Sequence, residues 1–180
     1  MQVFSDINLF EKAFAESIAH TDGMKRTAVA VGKFDGLHAG HRELLKEVLD
    51  YRGKGFRTLV FTFDSPIADF FTGQKSPVLT TNAEKEEYLR ELGFDYEIVF
   101  PVNAGNMAIE PDEFVKKVLV DGLHAGMVAA GSDLSFGKDG AGDLKLLKHM
   151  ADELGFESLT VDKVMLDGEE ISSTRVRKYV

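Results

Sequence analysis

The sequence predicts an α/β protein: a parallel sheet with helices on both faces. Three observations carry this. Short apolar or β-branched runs recur along the chain, near-continuous rather than alternating, as strands buried on both sides require. Amphipathic helical patterns fill the intervals between them, the order expected of repeated β-α units. Glycine-rich or polar stretches then follow several of the runs, where an open parallel sheet presents its ligand edge.

The strands are expected at 27–32 (TAVAVG), 57–63 (RTLVFTF), 96–100 (YEIVF), 126–131 (GMVAAG) and 157–165 (ESLTVDKVM). Leu44, Leu45, Val48 and Leu49 form an apolar helical stripe after the first, and Leu144, Leu147, Ala151 and Leu154 form another before the last. "TNAEKEEYLRELG" carries both ends of a helix: Thr81 with Glu84 makes a capping box, and Gly93 is a stop. Pro111 suits the first turn of a helix bearing Phe114, Val115, Val118 and Leu119. Residues 64–80 and 101–110 read as irregular, and loops of that length are often functional.

Composition narrows the function. The 180 residues suit one domain spanning 1–180, and no repeat or linker interrupts them. A net charge of −9 argues against bulk attraction to nucleic acid or an acidic membrane, so anionic substrates would need a local receptor. With no cysteine, disulfides, thiolate metal sites and cysteine nucleophiles are excluded together. "MQVFSDINLFEKAF" has charges where a signal peptide needs an apolar stretch, and no apolar run is long enough to span a bilayer. The expected setting is the cytoplasm.

Three stretches fall at expected strand ends. "GKFDGLHAGH" follows the first strand, and its glycines at 32, 36 and 40 permit a tight turn. The amides of the next helix start would form an anion site. His38 and His41, three apart, would share a face and offer two hydrogen-bond donors to a phosphate. A capping histidine beside a solvated one is the alternative. Zinc would need a third ligand, and none is evident. The spacing is neither that of the Gly-Lys-Ser phosphate loop nor that of the dinucleotide GxGxxG. "ISSTRVRKYV" follows the fifth strand; Ser172, Ser173 and Thr174 with Arg175 or Arg177 make a compact anion receptor, or else a capped helix with solvated arginines. "GSDLSFGKDGAGD" follows the fourth; its spacing fails the EF-hand pattern, and a turn letting backbone approach a flat ligand fits better. Phe136 within it reads as core.

Together these stretches resemble a known family. "GKFDGLHAGHRELL" is similar to the GxFDGxHxGH signature of bacterial FAD synthetases, in their FMN adenylyltransferase module, and its HxGH belongs to the wider nucleotidyltransferase superfamily. "GSDLSFGKDGAGD" and "ISSTRVR" resemble that module's G-x-D-F-x-F-G…G-D and I-S-S-T-x-I-R stretches, and "FTFDSP" stands where it has T-F-x-P-H-P. The likeness runs in order from Val29 to Arg177.

The resemblance implies a Rossmann-like nucleotidyltransferase fold with a five-stranded parallel sheet as its core. ATP would lie over the HxGH turn with FMN beside it. His38 and His41 match the histidines that hold ATP phosphates and developing charge, and Arg177 joins them as a catalytic group. Gly32, Phe34, Asp35, Gly40, Asp133, Ser172, Ser173 and Thr174 match the ATP side; Phe63, Asp64 and Ser65 match the flavin side. The reaction implied is adenylyl transfer from ATP to FMN, with Mg²⁺ accompanying ATP and no protein metal cluster. Two departures stand out: Asp64-Ser65-Pro66 replaces Pro-His-Pro without its histidine, and Leu134 replaces a phenylalanine. Many relatives continue into a riboflavin kinase module, and no kinase activity is expected from these 180 residues. Nucleotidyl transfer to another phosphorylated acceptor, and a non-catalytic flavin or nucleotide module, are the competing readings.

Overall fold

The first expected strand is the axis of the molecule. The structure, a computed structural model, describes residues 1–19, 25–166, 169–171, 173 and 177. Thr27–Val31 (β2) is buried at every position, which requires cover on both faces and a paired neighbour on each side. Before it come β1 (Gln2–Phe4) and α1 (Ile7–Ile18); after it, α2 (Ala39–Asp50), β3 (Arg57–Phe63), α3 (Ile67–Thr72), α4 (Asn82–Leu92) and β4 (Tyr96–Phe100). α5 (Ala104–Met107) and α6 (Pro111–Glu113) follow, and α6 passes directly into a π-helical stretch, Phe114–Gly122. β5 (Ala125–Gly131), α7 (Leu144–Leu154) and β6 (Glu157–Val161) complete the main body, and β7 (Met165–Leu166) pairs antiparallel with β8 (Glu169–Glu170).

The main sheet is parallel throughout, in the order β1-β4-β3-β2-β5-β6. It has six strands where five were expected, because Gln2–Phe4 adds to the edge of β4 in register Gln2↔Tyr96. Three residues are too few to show a period, so the sequence hides this strand.

The two-residue pleat sorts the core. Val29, Val31, Leu59, Phe61, Tyr96, Ile98 and Phe100 face Phe10 and Phe14 of α1, the π-helical Phe114, Val115, Val118 and Leu119, and α7. Ala28, Ala30, Val60, Met127 and Ala129 face Leu44, Leu45 and Val48 of α2 and Leu89 of α4. Small alanines on β2 and β5 let α2 pack close to the sheet at the place where strand order reverses.

The helix ends follow the expectations. Thr81 and Glu84 form the reciprocal capping box, Gly93 closes α4 in the left-handed conformation, and Pro111 opens α6. Three details differ. The last long strand ends at Val161 rather than 165, because its partner β5 stops at Gly131 and the Ser132 amide takes the Val161 carbonyl at 3.2 Å. The segment bearing Phe114–Leu119 is π-helical, its Leu123 amide reaching back to Val118 at 2.9 Å; over two turns an apolar stripe does not separate π from α. The stretches 64–80 and 101–110 contain the short helices α3 and α5.

Candidate active site

The chain leaves β2 through a turn whose backbone is strained. Phe34, Gly36 and Leu37 have φ of 52°, 84° and 41°. A non-glycine residue rarely adopts such φ, and here two do so within four positions. Burial offsets the cost: Phe34 is fully enclosed against α2 and the sheet, and its ring lies 3.0 Å from where a Cβ on Gly32 would stand.

Asp35 holds this turn in place. Its carboxylate accepts from the Leu79 amide at 2.7 Å and the Thr80 amide at 3.1 Å, and the Gly36 amide donates to Thr80 Oγ1 at 3.0 Å. The other Asp35 oxygen pairs with Arg177, and Ser173 Oγ donates to the Asp35 carbonyl at 2.6 Å. The turn after β2, the loop before α4 and the Ser-Ser-Thr segment thus meet on one aspartate. Ser172, Thr174 and Arg175 lie outside the described residues.

The two histidines stand at the entrance of α2. His38 occupies the N-cap position, yet its side chain makes no capping bond. The His38 and His41 rings stack instead, centroids 3.7 Å apart and planes 22° from parallel, with Phe34 5.3 Å from His41. Both are half-buried. Burial lowers the pKa of His41 from 6.5 to about 4; His38 and Lys85 push the same way, and Asp35 and Asp133 oppose them. His41 is therefore neutral at neutral pH, and its buried Nδ1 has no hydrogen-bond partner among the described residues. An incoming anion would draw the ring toward the charged form. Gly40 keeps this mouth open; a Cβ there would lie 3.4 Å from the His38 ring.

Asp133 enters from the next strand. It follows β5, the neighbour of β2, and its exposed carboxylate stands 3.7 Å from Lys163 Nζ. On the other side of β2, Phe63 ends β3, and Asp64 and Ser65 follow it. The Phe63 ring packs edge-on to Phe61, 5.6 Å away. Asp64 Oδ1 accepts from the Val102 amide at 3.0 Å and the Ser65 hydroxyl at 2.9 Å, which fastens the following loop to the end of β4.

The glycine-rich stretch after β5 owes two of its glycines to packing within the protein. Its close approaches are to protein: a Cβ on Gly137 would stand 2.6 Å from Pro111 Cα, and one on Gly142 2.5 Å from the Phe136 ring. Phe136 is buried core, as its sequence context suggested.

Sequence reasoning missed Lys85. This lysine of α4 is 4% exposed, and its ammonium donates to the Lys33 carbonyl at 3.2 Å, Thr62 Oγ1 at 3.1 Å and Asn82 Oδ1 at 3.4 Å. The signal was available: Lys85, Leu89 and Leu92 share the apolar stripe of α4, where a lysine is out of place.

The family profile described as FAD synthetase matches residues 20–175 of this chain. The chain belongs to the FAD synthetase family. Two curated relatives, both bifunctional riboflavin kinase/FMN adenylyltransferases, illustrate the likeness. That of Listeria monocytogenes is 36% identical over 155 residues, covering 84% of this chain and 49% of its own. That of Escherichia coli K12 is 33% identical over 152 residues, covering 83% and 49%. The chain spans about half the length of the curated relatives it matches. Among solved structures, a Francisella tularensis pantoate-β-alanine ligase superposes with a TM-score of 0.63 at 14% identity, over 98% of this chain and 73% of that one. A Streptococcus pneumoniae protein described as macrolide-efflux superposes at 0.74 with 23% identity, over 98% and 54%. At these identities the likeness is one of fold, a Rossmann-like α/β arrangement around a parallel sheet. Among the described residues no helix is long and apolar enough to cross a membrane.

Proposed function

We propose that this chain transfers the adenylyl group of ATP to FMN, forming FAD and releasing pyrophosphate, in the cytoplasm. The observation that carries the reading is the stacked His38–His41 pair at the start of α2, facing the point where the order of the sheet reverses. Ser173 and Arg177 bond to Asp35 in the same turn, which supports a shared receptor with the helix amides and the two imidazoles.

In this reading an FMN phosphate oxygen attacks the α-phosphorus of ATP. One P–O bond forms, the bond to the β-phosphate oxygen breaks, and pyrophosphate carries away the electron pair. The nucleophile is already anionic, so the protein needs no strong base. It positions two substrates and neutralises charge. His38 and His41 donate to phosphate oxygens, Ser173 and Arg177 receive the leaving pyrophosphate, and Asp35 serves by fixing the turn. Ser172 and Thr174 complete that receptor in the proposal. Gly32, Phe34 and Gly40 shape the cradle; Phe63, Asp64 and Ser65 form the flavin side. Mg²⁺ would arrive with ATP and supply further neutralisation, and the exposed Asp133 carboxylate offers the hard oxygen donor it favours.

The deciding assay mixes protein, ATP, Mg²⁺ and FMN and separates the flavins by chromatography. FAD with stoichiometric pyrophosphate is expected; tight binding without product would favour a non-catalytic module. Riboflavin in place of FMN should give neither FMN nor FAD, because a ribityl hydroxyl needs a general base and the histidines are committed to phosphate. FMN formed from riboflavin would overturn the assignment. Ser65 is exposed at the end of β3, so Ser65→His has room to restore the absent histidine. It should tighten FMN while leaving ATP unchanged, and no change in FMN affinity would move the flavin wall elsewhere.

Arg177 supplies a second test. In the free protein its guanidinium pairs with Asp35, and in the proposed reaction it turns to the β and γ phosphates. Calorimetric titration of Arg177→Ala should show ATP and pyrophosphate weakened far more than FMN. Equal losses for ATP and FMN would mean that Arg177 only braces the turn.

A further inference from the structure

Lys85 is a buried cation with no part in the residues that line the mouth. We propose that Lys85 is a positioning residue for ATP: through its bond to the Lys33 carbonyl it fixes the exit of β2, and so holds the left-handed turn that carries Asp35 and the histidines. This rests on the adenylyl-transfer reading for the identity of the ligand.

The geometry supports the role on two counts. First, Lys33 lies immediately before Phe34, whose φ of 52° has to be held by something outside the turn. The Lys33 carbonyl receives two donors, Lys85 Nζ at 3.2 Å and Thr62 Oγ1 at 3.1 Å, and the same hydroxyl accepts from Lys85 at 3.1 Å. Three groups, from the turn after β2, from β3 and from α4, form a closed triangle. Asn82, the third acceptor of Lys85, also donates to the Asp64 carbonyl at 2.8 Å, which ties the flavin side to the same post.

Second, the charge is placed to act without touching ligand. The ammonium is 4% exposed, yet its field bears on His41 and Asp35. The groups acting on it are Glu97 from β4 and Asp35 from the turn, and burial lowers its pKa. Glu97 is fully buried, its two oxygens have no hydrogen-bond partner among the described residues, and burial raises its pKa to about 7 despite the nearby lysine. A carboxyl poised in that range can take a proton when the lysine is removed, so Lys85→Met need not strand a buried charge.

The experiment compares wild type, Lys85→Met and Thr62→Val, the last a near-isosteric variant that breaks the triangle and keeps the cation. ATP binding is measured by calorimetry below the melting temperature of each. The His41 imidazole is titrated by NMR, where His38, Asp35, Asp133 and Lys85 are the groups that set its midpoint. Lys85→Met should weaken ATP by on the order of tenfold, the size of one charged hydrogen bond, with FMN affected less, and should move the His41 midpoint upward. Thr62→Val should weaken ATP by a smaller factor and leave the His41 midpoint in place. A lowered melting temperature with ATP affinity and His41 titration at wild-type values would overturn the proposal, leaving Lys85 as a core filler. If Lys85→Met fails to fold, an unchanged ATP affinity in Thr62→Val overturns it. These readouts do not require FAD formation: if wild type makes no FAD, the adenylyl-transfer reading fails by itself, and the His41 titration still decides the place of Lys85.

Discussion

His38→Ala and His41→Ala should each lower the rate of FAD formation by on the order of 10²–10³-fold, the usual loss for one preorganised donor aimed at developing charge. The stacked geometry sharpens the expectation. Each ring is held by the other at 3.7 Å, so removing one also frees the orientation of its neighbour. Losses in the two single mutants should therefore be comparable, and the double mutant should fall well short of their product. Steady-state kinetics with FMN and ATP checks this; near-normal turnover in either mutant would return that histidine to a structural role. A pH test accompanies it. The folded pKa of His41 is depressed from 6.5 to about 4, so the contribution of its neutral form is complete above 6.5 and is lost as pH falls toward 4. Thermal unfolding of wild type should lose stability across that window, and His41→Ala should lack this component.

The second large effect concerns stability. Gly137→Ala should destabilise the fold by about 2–5 kcal/mol, combining a backbone region open essentially to glycine with a forced contact. Gly137 has φ 71° and ψ −174°, and an added Cβ would lie 2.6 Å from Pro111 Cα, a backbone atom with no rotamer by which to yield. For a chain of this size the melting temperature should drop by roughly 5–15 °C. Gly53→Ala is the control, because nothing lies within 4 Å of a Cβ there. A melting temperature for Gly137→Ala equal to that of the control would show that the loop can shift away from Pro111.

How much was readable beforehand depended on the kind of signal. β2 announced itself because five buried residues in a row leave a continuous apolar run, and α4 because Thr81 and Glu84 cap it with side chains whose chemistry is local. β1 was hidden because its three residues owe their conformation to β4, far along the chain. At the site, the residue types in "GKFDGLHAGH" were legible, and the position of the histidines at the mouth of α2 followed from them. The ring stacking was not, since spacing places side chains on a face without setting their angles. The partners of Asp35 were out of reach: Leu79 and Thr80, and Ser173 and Arg177, come from two remote segments, and no local pattern names them. Lys85 stands out only as a lysine on an apolar stripe, a weak signal because a lone lysine there is more often solvated along its stem.

The bonds to Asp35 also bear on when the site can form during synthesis. Its partners lie 44 and 45 residues downstream at Leu79 and Thr80, and 138 and 142 downstream at Ser173 and Arg177. A growing chain that has exposed the histidine turn still lacks every group that locks it. β2 must also wait for β5 before its second edge is paired. Long-range closures of this kind come late and slow folding. In the proposed reading the nascent protein should therefore acquire its secondary structure well before the nucleotide site closes, and ATP added to a ribosome-bound chain should protect the turn from protease only once the residues around Arg177 have cleared the exit tunnel.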